Sequence, residues 1–123
     1  MKIIRLLLVI AFIYSSGIVL SQSPQKFNYQ AVARNSAGNV INNQPVGMEI
    51  SIHQGTASGP VVYSETHLPT TSNIGLINLS IGSGTVTSGT FSSINWSAGP
   101  FFIEIGMDVA GGSSYISMGT NNY

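Results

Sequence analysis

A chain of 123 residues with 43% hydrophobic residues, 7% charged residues and no cysteine is long enough for one packed core and too apolar to remain disordered. Its formal net charge is zero, and past the N-terminal leader Lys26 and Arg34 stand against Glu49, Glu65, Glu104 and Asp108. That balance excludes the clustered basic footprint nucleic acid requires, and the lack of cysteine excludes disulfides, thiolate chemistry, Cys-based zinc sites and a lipobox lipid anchor.

Residues 1–21 place Lys2 and Arg5 ahead of the apolar run Leu6–Tyr14, followed by Ser15-Ser16-Gly17 and Ile18-Val19-Leu20-Ser21. A positive start, an apolar middle and small residues at the end read as a secretory signal peptide, helical in its apolar part, with Gln22 as the new N-terminus. The rival reading is an uncleaved anchor. Ile3–Leu20 barely reaches the roughly 20 apolar residues that a span needs, and Ser15-Ser16-Gly17 interrupts it. Residues 22–123 are then expected to form a single domain with no stable membrane span.

After the linker Ser23-Pro24-Gln25, the residues Phe27, Tyr29, Ala31 and Ala33 alternate with Asn28, Gln30, Val32 and Arg34, the period of a half-buried strand. Asn35–Asn39 supplies a turn, Val40-Ile41 resumes an extended run, and Asn42–Pro45 breaks it. Val46–Gln54 is the cleanest strand, with Val46, Met48, Ile50 and Ile52 on one face. Val61–Leu68 has no uniformly apolar face and reads as an edge or surface-exposed strand. Leu76–Gly82 directs Ile77, Leu79 and Ile81 inward, and Gly82–Thr90 reads as a polar loop. Phe91, Ile94 and Trp96 form a short apolar segment in which Trp96, the only tryptophan, reads as a core anchor. Phe101, Ile103, Ile105 and Met107 mark another inward face, and Ser114–Met118 begins a return strand after the Gly111-Gly112 turn.

About seven short strands with turns every 8–12 residues, and no helical period past the leader, predict an all-β, antiparallel, immunoglobulin-like β-sandwich. A small barrel or a transthyretin-like sandwich is the alternative.

The candidates for chemistry are few. His67 shares a strand face with Glu65, and His53 lies on the polar face of its own strand with Glu49. Pairing of those strands would let His53, Glu65 and His67 converge on a metal, although exposed strands commonly carry such residues without one. Glu104 and Asp108 share a strand face at roughly 13 Å, too far apart for a glycosidase pair, and Asp108 beside Gly111-Gly112 is one oxygen ligand where calcium needs several. Gly84–Gly89 has P-loop glycine spacing without its lysine. No Gly-x-Ser-x-Gly elbow occurs. Asn78 and Asn95 head glycosylation sequons, and at Tyr29, Tyr63 and Tyr115 the sequence does not separate sugar-binding aromatics from core aromatics, packing being the commoner use. The sequence therefore assigns no catalytic, cofactor-binding or metal-binding residue, and no cofactor.

The ordered set Phe27–Ile41, Tyr63-Ser-Glu-Thr-His67, Gly75–Gly82, Phe91–Trp96 and Met118-Gly119-Thr120 resembles the N-terminal module of secreted cell-surface proteins of Bacteroidetes-type bacteria, the tail-fibre-domain-containing and collagen-like proteins. The resemblance covers nearly all of residues 22–120. It implies export, a β-sandwich head and variable downstream regions, and brings no catalytic residue with it. It also implies a Val-Pro-Tyr-Ala-type continuation after Gly119-Thr120, in whose place stands Asn121-Asn122-Tyr123. A truncated product, a fragment and a stand-alone version all fit. A missing final strand would leave an edge open to another chain and a route to a homo-oligomer. The expectation is a secreted or cell-surface, non-enzymatic structural or adhesive module whose partner is a surface glycan or protein. A carbohydrate-binding module is the alternative.

Overall fold

The computed structural model describes residues 26–122; the expected signal peptide, residues 1–21, lies outside them. Seven strands form: β1 (Phe27–Val32), β2 (Gly47–Gln54), β3 (Val61–His67), β4 (Leu76–Ile81), β5 (Thr85–Ser88), β6 (Phe101–Asp108) and β7 (Ile116–Asn122). The described residues are all-β, with two antiparallel sheets in a sandwich.

The period-2 patterns decide which faces meet. Met48, Ile50 and Ile52 of β2, Tyr63 of β3, and Phe101, Ile103, Ile105 and Met107 of β6 are buried on the inner face of a five-stranded sheet ordered β5-β3-β2-β6-β7. Over it lies a two-stranded sheet, β1-β4, in register from Phe27↔Ile81 to Val32↔Leu76. Ile77, Leu79 and Ile81 of β4 complete the core, and Phe27 and Tyr29 pack against it. Burying an aliphatic side chain contributes about 1.5–3 kcal/mol, so these alternating rows are the main force closing the two layers. β1 pairs β4, while β2 sits between β3 and β6 with β7 beyond. These are the pairings of strands B with E and C′-C-F-G in immunoglobulin-type domains.

The turn after β1 forms as its residues require. Asn35 Oδ1 accepts the backbone N–H groups of Ala37 and Asn39 at 3.0 and 2.9 Å, and Gly38 takes φ +85°. Arg34 and Val40 then make a single bridge rather than a longer hairpin.

Two expectations are corrected. Val61–Leu68 is no edge: β3 lies between β5 and β2, with Tyr63 and Glu65 fully buried. Its mixed face misleads because Glu65 is an inward-facing carboxylate whose partners are backbone groups of a distant loop. The polar segment Gly82–Thr90 is not loop throughout, since Thr85–Ser88 adds to β3 as the edge strand. Such a strand needs backbone pairing but no buried side chain, so it leaves no apolar pattern. The apolar segment of Phe91, Ile94 and Trp96 lies in and between two 3-10 turns, Phe91–Ser93 and Trp96–Ala98. They put the Phe91 ring against Phe27, Tyr63 and Trp96 at centroid distances of 6.0, 5.2 and 5.8 Å, and the Trp96 ring against Phe101 at 5.1 Å. Tilted and edge-on contacts of this kind add about 0.5–1.5 kcal/mol each beyond burial. Trp96 is a core anchor at the rim, partly buried.

Candidate functional site

The five-stranded sheet divides the candidate residues between its two faces. On the outer face, His53 of β2 stands opposite Phe102, and Glu104 of β6 stands opposite Ser51. The histidine and the carboxylate are therefore diagonal neighbours, within reach of long side chains. His53 Nε2 lies 3.0 Å from Glu104 Oε1, and Nδ1 lies 2.8 Å from the Gly59 carbonyl. Ser117 of β7 donates its hydroxyl to Glu104 Oε2 at 2.9 Å.

Both partners of the imidazole are acceptors, and only the protonated ring can donate to both. The Gly59 carbonyl, against some desolvation and with help from Glu104, accordingly raises the His53 pKa above its usual 6.5. The bonds from His53 and then Ser117 hold the Glu104 carboxyl below its usual value. The chain Gly59–His53–Glu104–Ser117 thus links three strands, and His53 and Glu104 are an ion pair whenever the imidazole is protonated. The carboxylate sits between histidine and serine, an order that leaves no base beside the hydroxyl to activate it.

On the inner face Glu65 is fully buried, opposite Ile50 on one side and Val86 on the other. One carboxylate oxygen accepts the Gly82 N–H at 2.6 Å, and the other accepts the Gly84 N–H at 2.5 Å and the Tyr63 hydroxyl at 3.3 Å. His67 Nε2 approaches the same oxygen to 3.3 Å, but the ring nitrogen is misaligned for a hydrogen bond and has no such partner. Tyr63 is pushed up to about 12, by desolvation first and then by the Glu65 charge and hydrogen bond.

Glycine is required at position 84 for space. A Cβ there would stand 2.6 Å from Glu65 Oε2, 2.5 Å from His67 Nε2 and 2.7 Å from the Thr66 carbonyl. Gly82–Gly84 is where the chain leaves β4 in the small sheet and enters β5 in the large one, so the buried carboxylate fastens the crossover between layers.

The proposed convergence of His53, Glu65 and His67 does not occur. Glu65 and His67 point to the core side of the large sheet and His53 to its outer side, because the β2–β3 register sets Ile50 opposite Glu65 and Met48 opposite His67. Among the described residues no group of three His, Asp or Glu side chains comes together to hold a metal ion. Asp108 closes its own turn, accepting the Ala110 and Ser114 N–H groups at 3.0 Å each. Asn78 and Asn95 are exposed, and Asn95 Oδ1 accepts the Ser97 hydroxyl at 2.6 Å. Tyr63 is a core residue. Tyr29 is half-buried against the core, and Tyr115 lines a shallow outer cleft with Glu49, Glu104 and Ser117.

Two concavities were not foreseen from the sequence. One, of about 290 Å³, has Gln54, Thr90, Ser93 and Asn95 around an apolar floor of Val62, Ile94 and Phe101. The other, of about 330 Å³, lies between Arg34–Ser36 and the Met107–Val109, Ser114, Ile116 and Met118 surface. Each gathers residues more than forty positions apart, so neither has a local signature.

Fold and site together define an antiparallel β-sandwich with immunoglobulin-type pairing whose ionisable groups tie strands and turns together. The chain matches, over residues 28–120, the family described as a domain of unknown function (DUF8740). It belongs to that family. No curated protein and no solved structure matches it.

Proposed function

We propose that the chain is a secreted or cell-surface structural or adhesive head module without catalytic activity. The observation that carries this reading is the use made of its acidic side chains. Glu65 fastens the crossover between the sheets, Glu104 joins β2, β6 and β7 through His53 and Ser117, and Asp108 closes the β6–β7 turn. Side chains spent on scaffolding are what a rigid display module requires. The signal-peptide pattern of residues 1–21 and the resemblance to bacterial surface-protein heads support export.

The test is to express the full chain with its own leader in a bacterial host, fractionate the cells and determine the intact mass. A product starting at Gln22 outside the cytoplasm is the expected result; uncut protein retained in the cytoplasm would overturn export. A glycan array and whole-cell binding assay then address adhesion, which is withdrawn if no surface retains the protein.

A carbohydrate-binding module is the second reading, favoured by the cleft beside Trp96. Its amide and hydroxyl side chains, Gln54, Thr90, Ser93 and Asn95, surround an apolar floor, a combination suited to sugars. Titration of a broad polysaccharide panel against tryptophan fluorescence tests it, since Trp96 packs on the Phe101 of that floor. Unchanged emission throughout would count against it.

A further inference from the structure

The two sheets of the sandwich are unequal, and β7 is one edge of the larger. This strand pairs with β6 on one side and with no other strand among the described residues. Between its pairs Ser117↔Gly106 and Thr120↔Glu104 lies a bulge, with Gly119 at φ +124°. Ile116 pairs with the core residue Met107, and Met118, two positions on, shares its inward side. Yet Ile116 is 71% and Met118 56% exposed, and neighbouring Val109 is 42% exposed. These side chains face the layer where a covering element belongs, and they line the groove of about 330 Å³ with Arg34 and Asp108.

Exposed sheet edges are normally guarded by brevity, charge or proline. The opposite edge, β5, has only four residues. β7 has seven, Ile-Ser-Met-Gly-Thr-Asn-Asn, without a charge or a proline. Its bulge is the only guarding device it carries.

We propose that β7 is a self-pairing edge: a second copy of this chain adds its own β7 antiparallel to the first, about a two-fold axis perpendicular to the large sheet. This rests on the reading of the chain as a structural module and names its partner. A two-fold interface must be self-complementary, and this one is in three respects. An uncharged strand meets an uncharged strand, so no charge is desolvated. The axis keeps both inner faces on the same side, which merges the two Ile116–Met118 stripes into one apolar patch. The groove holds one cation and one anion, and Arg34 uses one guanidinium nitrogen on Gly38 O, leaving donors for a carboxylate across the axis. A foreign strand would have to match all three features; a second copy does so by identity.

The test is sedimentation velocity on the purified full chain over a concentration series, with far-UV circular dichroism as the check of folding. Wild type is expected to show a reversible dimer. Met118→Lys, at an exposed position, sets like charges near one another across the antiparallel pair and should weaken dimerisation by about tenfold or more. Met118→Glu should do the same alone, and mixing the Lys and Glu variants should restore dimers. Val86→Lys on β5 should leave the dimer unchanged. Ile116→Lys replaces Met118→Lys if the latter fails to fold. A wild-type monomer at every concentration would overturn the proposal, as would a dimer indifferent to both β7 variants or one broken by Val86→Lys. An exported, surface-bound monomer would sink self-pairing alone and leave the module reading standing.

Discussion

Replacing Glu65 by methionine asks whether a buried carboxylate stabilises this fold or merely survives in it. Exchanging a buried ion pair for apolar residues of similar volume is often neutral or stabilising, because the charges lose more on leaving water than they regain from each other. That outcome requires both partners to be replaced. Here the principal partners are the Gly82 and Gly84 backbone N–H groups, at 2.6 and 2.5 Å, which no substitution removes. Methionine fills the space but leaves two donors facing hydrocarbon, and each hydrogen bond to a charged group contributes about 1.5–3 kcal/mol. The relieved desolvation of the carboxylate offsets part of this loss. The net cost should be about 3 kcal/mol or somewhat more, within the range for breaking one side of a buried pair. Glu65→Gln keeps one acceptor and turns an amide NH₂ toward the other donor, so it should cost less, about 1–3 kcal/mol.

For a domain of this size, 1 kcal/mol corresponds to about 4–8 °C in Tm, which places Glu65→Met roughly 12–24 °C below wild type. With a total stability of about 5–15 kcal/mol, the variant should still fold. Urea denaturation followed by the fluorescence of the single tryptophan, Trp96, gives both midpoint and m-value. The control is Glu104→Gln in the partly exposed outer pair, with an expected cost of about 1 kcal/mol. If Glu65→Met unfolds within about 0.5 kcal/mol of wild type, or above it, the carboxylate is not what fastens the β4–β5 crossover.

Gly84→Ala should also destabilise. Its new methyl meets Glu65, His67 and a backbone carbonyl at 2.5–2.7 Å, an overpacking cost of about 1–3 kcal/mol that a thermal melt would register. Removing the outer ion pair with His53→Ala should change the pH dependence of stability. The raised His53 pKa contributes stability below about 6.5 that is lost as pH rises through the folded-state value, and the lowered Glu104 pKa contributes stability above about 4.5 that is lost as pH falls through its own. The wild-type excess over His53→Ala should therefore be greatest between these two pH values, and a pH-independent difference would contradict the pairing. Phe91→Ala removes a ring packed on Phe27, Tyr63 and Trp96 and should cost about 3–5 kcal/mol by urea midpoint. Ile74→Ala, 64% exposed, should stay within about 0.5 kcal/mol.

The apolar strands were legible because their signal is local. Met48, Ile50 and Ile52, like Ile77, Leu79 and Ile81, announce a buried face at every second residue, and each of those faces is in the core. The sequence hides what depends on a distant partner. β5 has four exposed side chains, and only its backbone pairing with β3 makes it a strand. Glu65 reads as a solvent-facing acid because its compensating donors are amides seventeen and nineteen residues further on. The metal possibility at His53, Glu65 and His67 rested on the same gap: strand alternation places residues on a face but does not say which face is the core. In β3 it is the face bearing Tyr63, Glu65 and His67, and the short polar alternation there gives no means of choosing.

That choice of face also bears on how the module can be used. Had the large sheet buried its other side, His53 and Glu104 would lie in the core and Glu65 would face water, and neither would have its present partners. As built, the inner layer carries one carboxylate, and that carboxylate holds the crossover between the sheets. The outer layer carries the His53–Glu104 pair, linking β2 to β6 and, through Ser117, to β7. Ser117 is therefore bound on the outer side of β7 while Ile116 and Met118 are uncovered on the inner side. The edge strand is held in its sheet by polar contacts on one face, which leaves its apolar face free to be matched. A strand that owed its position to burying Ile116 and Met118 within its own domain would have no apolar stripe to set beside a partner's; β7 owes its position to the β6 ladder and to Glu104, so edge pairing can join its apolar side to a second one without undoing what keeps it in place.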